Sequence, residues 1–274
     1  MEKLQKALDR ARQERGQEIG SHRPERENRR LPPSGPESAW DALPMLNLDR
    51  KVMEQNRVMT FAPQRTSTTF DILRTKVFLM MRQNGWKRLA VTSPDMGCGK
   101  TTVSCNLAGG FRRQSDMRAM LFDLDLRRPG IGKTLGCQAQ HDVTDVLRGN
   151  IAPENQLLRI GENVAVSLSS NPISDPAQLM LSASTSRTLD QIQKTYAPDI
   201  MIFDIPPILV TDDTRAILKN ADCAIIVVRS EQTRMSRLDM CEREVAEHTN
   251  VIGVVLNDCR NLSESDDSYY SEYS

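Results

Sequence analysis

The sequence predicts an α/β fold, a mostly parallel sheet with helices on both faces. Three features point to it. Apolar runs of strand length recur from residue 88 onward, helical stretches separate most of them, and a glycine-rich turn joins the first run to the first helix. Strands that are apolar throughout belong inside parallel sheets, because helical crossovers cover both of their sides.

The runs fall at 88–93, 119–123, 163–168, 199–204, 222–228 and 250–256, with helical stretches at 101–113, 177–195 and 232–247. Residues 60–260 are therefore expected to form one domain. Ahead of it, residues 1–15 place Leu4, Ala7, Leu8 and Ala11 on one helical face, the pattern of a short amphipathic helix. Residues 16–59 lose that periodicity and gather Pro, Gly, Ser and Arg, and they read as a flexible linker. Residues 261–274 form an acidic tail rich in Ser and Tyr.

Composition narrows the function. The chain has 274 residues, with 36 basic and 36 acidic side chains, so it offers no net attraction to nucleic acid, and no nucleic-acid partner is expected. Its six cysteines lack metal-binding spacing and read as free thiols of a reducing compartment. The longest apolar stretches are six residues, against the ~20 that span a bilayer. The expected location is the cytoplasm, with any membrane attachment supplied by a partner.

Chemistry concentrates at the carboxyl ends of the predicted strands, where open α/β sheets bind ligands. After Thr92 and Ser93 the chain reads Pro94-Asp95-Met96-Gly97-Cys98-Gly99-Lys100-Thr101-Thr102. Glycines let backbone N–H groups converge on an anion, and the helix start adds its dipole. Lys100 suits the β and γ phosphates of a nucleotide, and the Thr101 hydroxyl suits Mg2+. Asp95 to Thr102 are thus candidate ATP contacts. Pro94 stands where the usual first glycine would be, so the motif is a deviant phosphate loop. The second run ends in Asp123-Leu124-Asp125, two carboxylates on one side of an extended segment, suited to Mg2+ and to accepting a proton. A helix cap or a salt bridge to Arg127 or Arg128 is the structural alternative. Asp204, ahead of Ile205-Pro206-Pro207, suits a third ligand or a water-orienting group.

The phosphate loop, Asp123-Leu124-Asp125-Leu126-Arg127-Arg128-Pro129 and Asp204-Ile205-Pro206-Pro207 together resemble the bacterial tyrosine kinases of exopolysaccharide and capsule export, relatives of the MinD/ParA ATPases. Further matching stretches include Thr144–Gly149, Val210-Thr211-Asp212 and Gly253–Asn257. The resemblance implies ATP and Mg2+ as cofactors, with Thr101, Asp125 and Asp204 on the metal. It gives Lys100, Asp123, Asp125 and Asp204 to catalysis and places Asn257 near the base. It also implies autophosphorylation of a C-terminal tyrosine cluster, here Tyr269, Tyr270 and Tyr273. The implied partners are a membrane chain-length regulator (polysaccharide co-polymerase), a tyrosine phosphatase and further copies of the chain. The family's ring-forming Glu-x-x-Arg-x-x-Arg pattern retains only Arg74, with Thr68 and Asp71 in the earlier positions, so weak self-association is expected. The alternatives are an ATPase switch without kinase activity and a nucleotide-sensing scaffold. Asp95 stands where MinD/ParA ATPases carry a signature lysine, which disfavours the ATPase switch.

Overall fold

The computed structural model describes residues 35–61 and 68–259. The amphipathic segment at 1–15 and the tail tyrosines Tyr269, Tyr270 and Tyr273 lie outside them.

Seven strands form one sheet among the described residues: β1 Arg88–Thr92, β2 Ala119–Asp123, β3 Leu158–Ile160, β4 Val164–Ser167, β5 Ile200–Asp204, β6 Cys223–Arg229 and β7 Asn250–Asn257. Their order is β3-β4-β2-β5-β1-β6-β7, and every pairing is parallel except β3 with β4. The α/β expectation holds. The three-residue β3 was not predicted, being too short for a periodic signal. The stretch expected at 177–195 is two helices, Pro176–Met180 and Ala183–Tyr196, divided where Ser182 caps the second by accepting the Thr185 N–H.

Side chains alternate between two apolar clusters, as the pleat requires. Met120, Phe122, Met201 and Phe203 enter one cluster, while Leu121, Ile202, Val91 and Val227 enter the other. Register decides what meets at the strand ends. Because β5 lies between β1 and β2, Asp204 pairs in register with Asp123 on one side and with Val91 on the other. Neighbouring strands run ~4.8 Å apart, so the phosphate loop leaving β1 and both aspartates share one rim.

The linker reading of 16–59 is corrected over its described part. Short helices occupy Pro36–Asp41 and Arg50–Gln55, and the segment is packed. Trp40 and Leu43 join the first apolar cluster, whereas Met53, Val58 and Phe61 join the second. Between them the chain passes the outer edge of the sheet, where Leu46 N–H donates to the Arg159 carbonyl and Arg159 N–H to that of Pro44, both at 2.7 Å. The segment is a strap joining the two faces. Two six-residue helices with irregularly spaced anchors leave no periodic signature, and this is why its composition misled.

Trp40 is the strongest anchor. It is 1% exposed, its indole N–H donates to the Glu162 carbonyl at 2.7 Å, and its ring meets Tyr196 edge-on. Trp40→Ala is expected to cost about 3–5 kcal/mol of unfolding free energy in a denaturant titration. A change under about 0.5 kcal/mol, normal for a surface site, would mean that the strap is not part of the core.

Candidate nucleotide site

The helix that follows the loop, Lys100–Phe111, begins at Gly99, whose φ of 90° is one that side-chain-bearing residues rarely adopt. A Cβ on Gly99 would lie 2.0 Å from Nδ2 of Asn257, which itself donates to the Cys98 carbonyl at 2.9 Å. Asn257, at the end of β7, thus pins the loop from across the sheet. Only glycine permits that approach. Gly97, at φ 78°, makes the other left-handed turn of the loop.

The side chains then sort themselves. Lys100 Nζ donates to Asp125 Oδ2 at 2.7 Å, and Thr101 Oγ1 donates to Asp204 Oδ2 at 2.6 Å. Ser104, one turn further along the helix, donates to the other oxygen of Asp204 at 3.1 Å. Sequence reasoning missed Ser104, whose helical spacing from Thr101 was the available signal. Asp123 diverges from Asp125. Its Oδ2 accepts the N–H groups of Gly130 and Ile131, at the start of the helix Ile131–Leu135, while its buried Oδ1 has no hydrogen-bond partner. The cap considered from sequence is therefore real, and it engages only one of the two oxygens.

The electrostatics are those of a site built for cations. Burial raises the pKa of Asp123 well above the carboxylate range, and the Asp204 charge adds to this, against the opposing pull of the two helix N–H groups. Asp204 is raised as well, chiefly by burial, with Lys100 and the Thr101 hydroxyl working the other way. Burial alone would lower Lys100, but Asp204, Asp125 and Asp123 hold it above its ordinary value. Three acids surround one lysine, more carboxylates than a single cation can offset.

These residues fit ATP and Mg2+. The glycine cradle is one a Cβ would fill, Asp123 carries an orphaned buried oxygen, and the donor set of carboxylates and a hydroxyl is the hard-oxygen set that Mg2+ prefers. The strand-end aspartates do not converge tightly enough for an all-protein cage. Among the described residues, the group of three acidic or histidine side chains with ligand atoms within 4.8 Å is Glu244, Glu247 and His248, elsewhere. Mg2+ commonly completes its shell with water and phosphate oxygens, which agrees with that looser arrangement.

Two cavities flank the loop. One of about 380 Å³ holds Lys100 and Asp125, with Met96, Arg128 and Pro207 at its walls. The other, of about 350 Å³, is lined by Thr102, Asn257 and Arg229 among others. A nucleotide whose β and γ phosphates meet Lys100 would put its γ side in the first cavity and its nucleoside in the second. Cys98 is buried within the loop. The Asp95 carboxylate is held in a two-point pair by Arg237 of the helix Met235–Ala246, so its backbone alone remains for a nucleotide. Arg74 is likewise engaged within the chain, by Asp71 at 3.1 Å and by the Gly110 carbonyl at 2.7 Å.

Residues 86–250 match the family model described as an AAA domain. The chain belongs to that family. It is 27% identical over 221 residues to a tyrosine-protein kinase of Bacillus subtilis (YwqD), covering 80% of this chain and 92% of the relative. Five further curated relatives are matched over only 24–26% of their lengths. The kinase domain of the Escherichia coli tyrosine kinase ETK superposes with a TM-score of 0.64 at 22% identity, over 70% of this chain and 75% of that one. Cobyrinic acid a,c-diamide synthase from Mycobacterium smegmatis, with bound ATP analog and magnesium, superposes with a TM-score of 0.55 at 21% identity, over 68% of this chain and 78% of that one. The fold is thus the mostly parallel P-loop fold shared by bacterial tyrosine-kinase domains and MinD/ParA-like ATPases, as the motifs implied. No helix among the described residues is long and apolar enough to cross a membrane.

Proposed function

We propose that this chain is an ATP- and Mg2+-dependent protein-tyrosine kinase that phosphorylates Tyr269, Tyr270 and Tyr273 and regulates the polymerisation and export of an exopolysaccharide. The observation that carries the reading is the orphaned oxygen of Asp123, an acceptor of raised proton affinity one strand from Asp204 and two residues before Asp125, which lines the γ-phosphate cavity. A pure phosphate loop needs no such group. A kinase does, because the attacking hydroxyl must lose its proton.

Each residue then has a part. Lys100 moves from Asp125 onto the β and γ phosphates. Thr101, Asp125 and Asp204 would hold Mg2+, which would supply positive charge against the phosphate oxygens. Asp123 takes the tyrosine proton as the γ-phosphorus–oxygen bond to ADP breaks and the bond to the tyrosine oxygen forms. Arg127, bonded to Asp213, and Arg128 flank the same cavity and suit an acidic acceptor such as the tail. Three phosphates on an already acidic tail add roughly five negative charges and favour its release. A membrane chain-length regulator would hold the protein at the inner membrane face, and a tyrosine phosphatase would reset the tail. Arg74, engaged within its own chain, supports weak self-association over a stable ring.

Intact-mass measurement after incubation with ATP and Mg2+ tests this. The wild type is expected to gain up to three phosphates, faster per subunit at higher protein concentration. The Tyr269/Tyr270/Tyr273→Phe variant is expected to gain none. Release of free phosphate without any mass gain would replace the kinase reading by that of an ATPase switch.

A further inference from the structure

We propose that Arg57 and Met59 of the strap contact the nucleotide, forming the wall against which its base packs. The inference rests on the ATP reading above and extends it to residues outside the stretch 86–250 that matches the family model.

The nucleoside-side cavity is lined by Arg57, Met59 and Phe70 together with Thr102 and Asn257. The strap is aimed there by the phosphate-loop helix itself. Asn106, fully buried on that helix, accepts the N–H of Met59 at 2.8 Å and of Thr60 at 3.2 Å through Oδ1. Its Nδ2 donates to the carbonyls of Arg57 and Thr102, both at 2.9 Å. One side chain therefore ties the strap to the helix turn that carries Thr102.

The backbone at Arg57 has a φ of +59°, unfavourable for a residue with a side chain. Arg57 is the left-handed residue that ends the helix Arg50–Gln55: its N–H donates to the Glu54 carbonyl at 3.1 Å and the Val58 N–H to that of Met53 at 2.8 Å. The helix stop and the Asn106 bond together fix where the strap turns toward the cavity.

The two side chains suit a base chemically. The Arg57 side chain is 74% exposed and meets Asp258 at 3.6 Å, a loose surface contact that it can leave at little cost. A planar guanidinium stacks on aromatic faces, and a thioether packs favourably against them. Met59 is 40% exposed in a chain whose Met53 and Val58 neighbours are buried. Both features fit a surface that waits for an apolar, flat ligand. Stacking reads the π face alone, so adenine and guanine should profit alike.

Calorimetry of the full chain with ATP, GTP and inorganic tripolyphosphate, each with Mg2+, tests the proposal on the Arg57→Ala/Met59→Ala variant. The expected result is an affinity for ATP and for GTP about tenfold weaker than wild type, with tripolyphosphate affinity and melting temperature unchanged. Wild-type ATP affinity in the variant would overturn it. So would equal losses for ATP and tripolyphosphate, which would mean that the residues act on the phosphates or on the loop. A wild type that binds none of the three ligands would overturn the phosphate-loop reading as well, which separates the two failures.

Discussion

Lys100→Met is expected to reduce ATP binding below detection and to make the stability of the nucleotide-free protein strongly dependent on pH. The first effect follows from lost charge. Lys100 is the ammonium group lining the γ-phosphate cavity, and charge-assisted bonds to phosphate are the strong ones. The second follows from what Lys100 holds at rest. Its pair with Asp125 is 2.7 Å long, with side-chain exposures of 13% and 7%, and removing one partner of so buried a pair costs about 3–5 kcal/mol.

In the wild type the lysine's folded pKa lies above its unfolded one, so its stabilisation is present at neutral pH and lost only as pH rises through the folded value. In the variant, Asp204 loses the charge that opposes its burial, so its carboxyl is raised further. Its contribution is then full below the ordinary carboxylate range and lost as pH rises toward neutrality. Melting curves from pH 4 to 8 should show the variant close to wild type in acid and well below it at pH 8. Wild-type ATP affinity in the variant would refute the assignment of the loop, and a pH-independent difference in melting would refute the electrostatic account.

Asp123→Asn is expected to separate activity from stability. Losing a proton acceptor typically costs about a hundredfold to ten-thousandfold in rate, so phosphoryl transfer should nearly disappear. Stability should move the other way. The folded pKa of Asp123 is raised, so the group's contribution is full below about pH 4 and lost as pH rises through the folded value. Asparagine keeps an acceptor for the Gly130 and Ile131 N–H groups and carries no charge. The variant should therefore gain on the order of 1 kcal/mol over wild type at pH 7.5, and less in acid. Added Mg2+ and ATP should narrow the gap by stabilising the wild-type carboxylate. A variant that transfers phosphate at near-normal rate would reduce Asp123 to the cap of the helix Ile131–Leu135.

Much of this was legible in the sequence. The strands are short apolar runs, because a strand covered on both sides has no polar face, and such a run is visible without any partner. The phosphate loop was visible too, since Gly97 and Gly99 sit where the backbone must turn left-handed, a local demand written in single residues. Asp123, Asp125 and Asp204 could be named as a set from their places at strand ends.

Their division of labour was decided only by the tertiary structure. Strand order places β5 between β1 and β2 and so brings Asp204 beside Asp123 and the loop, and nothing in the local sequence specifies that order. The pairing of Asp125 with Lys100, the half-engaged Asp123 and the Asp95–Arg237 pair each join residues far apart along the chain. The strap was hidden for the same reason. Residues 35–59 look solvated by composition, yet Trp40, Leu43, Met53 and Val58 are buried because two sheet faces lie within their reach. Periodicity reports burial only where an element presents one repeating face to the core, and a segment anchored at a few irregular points has none.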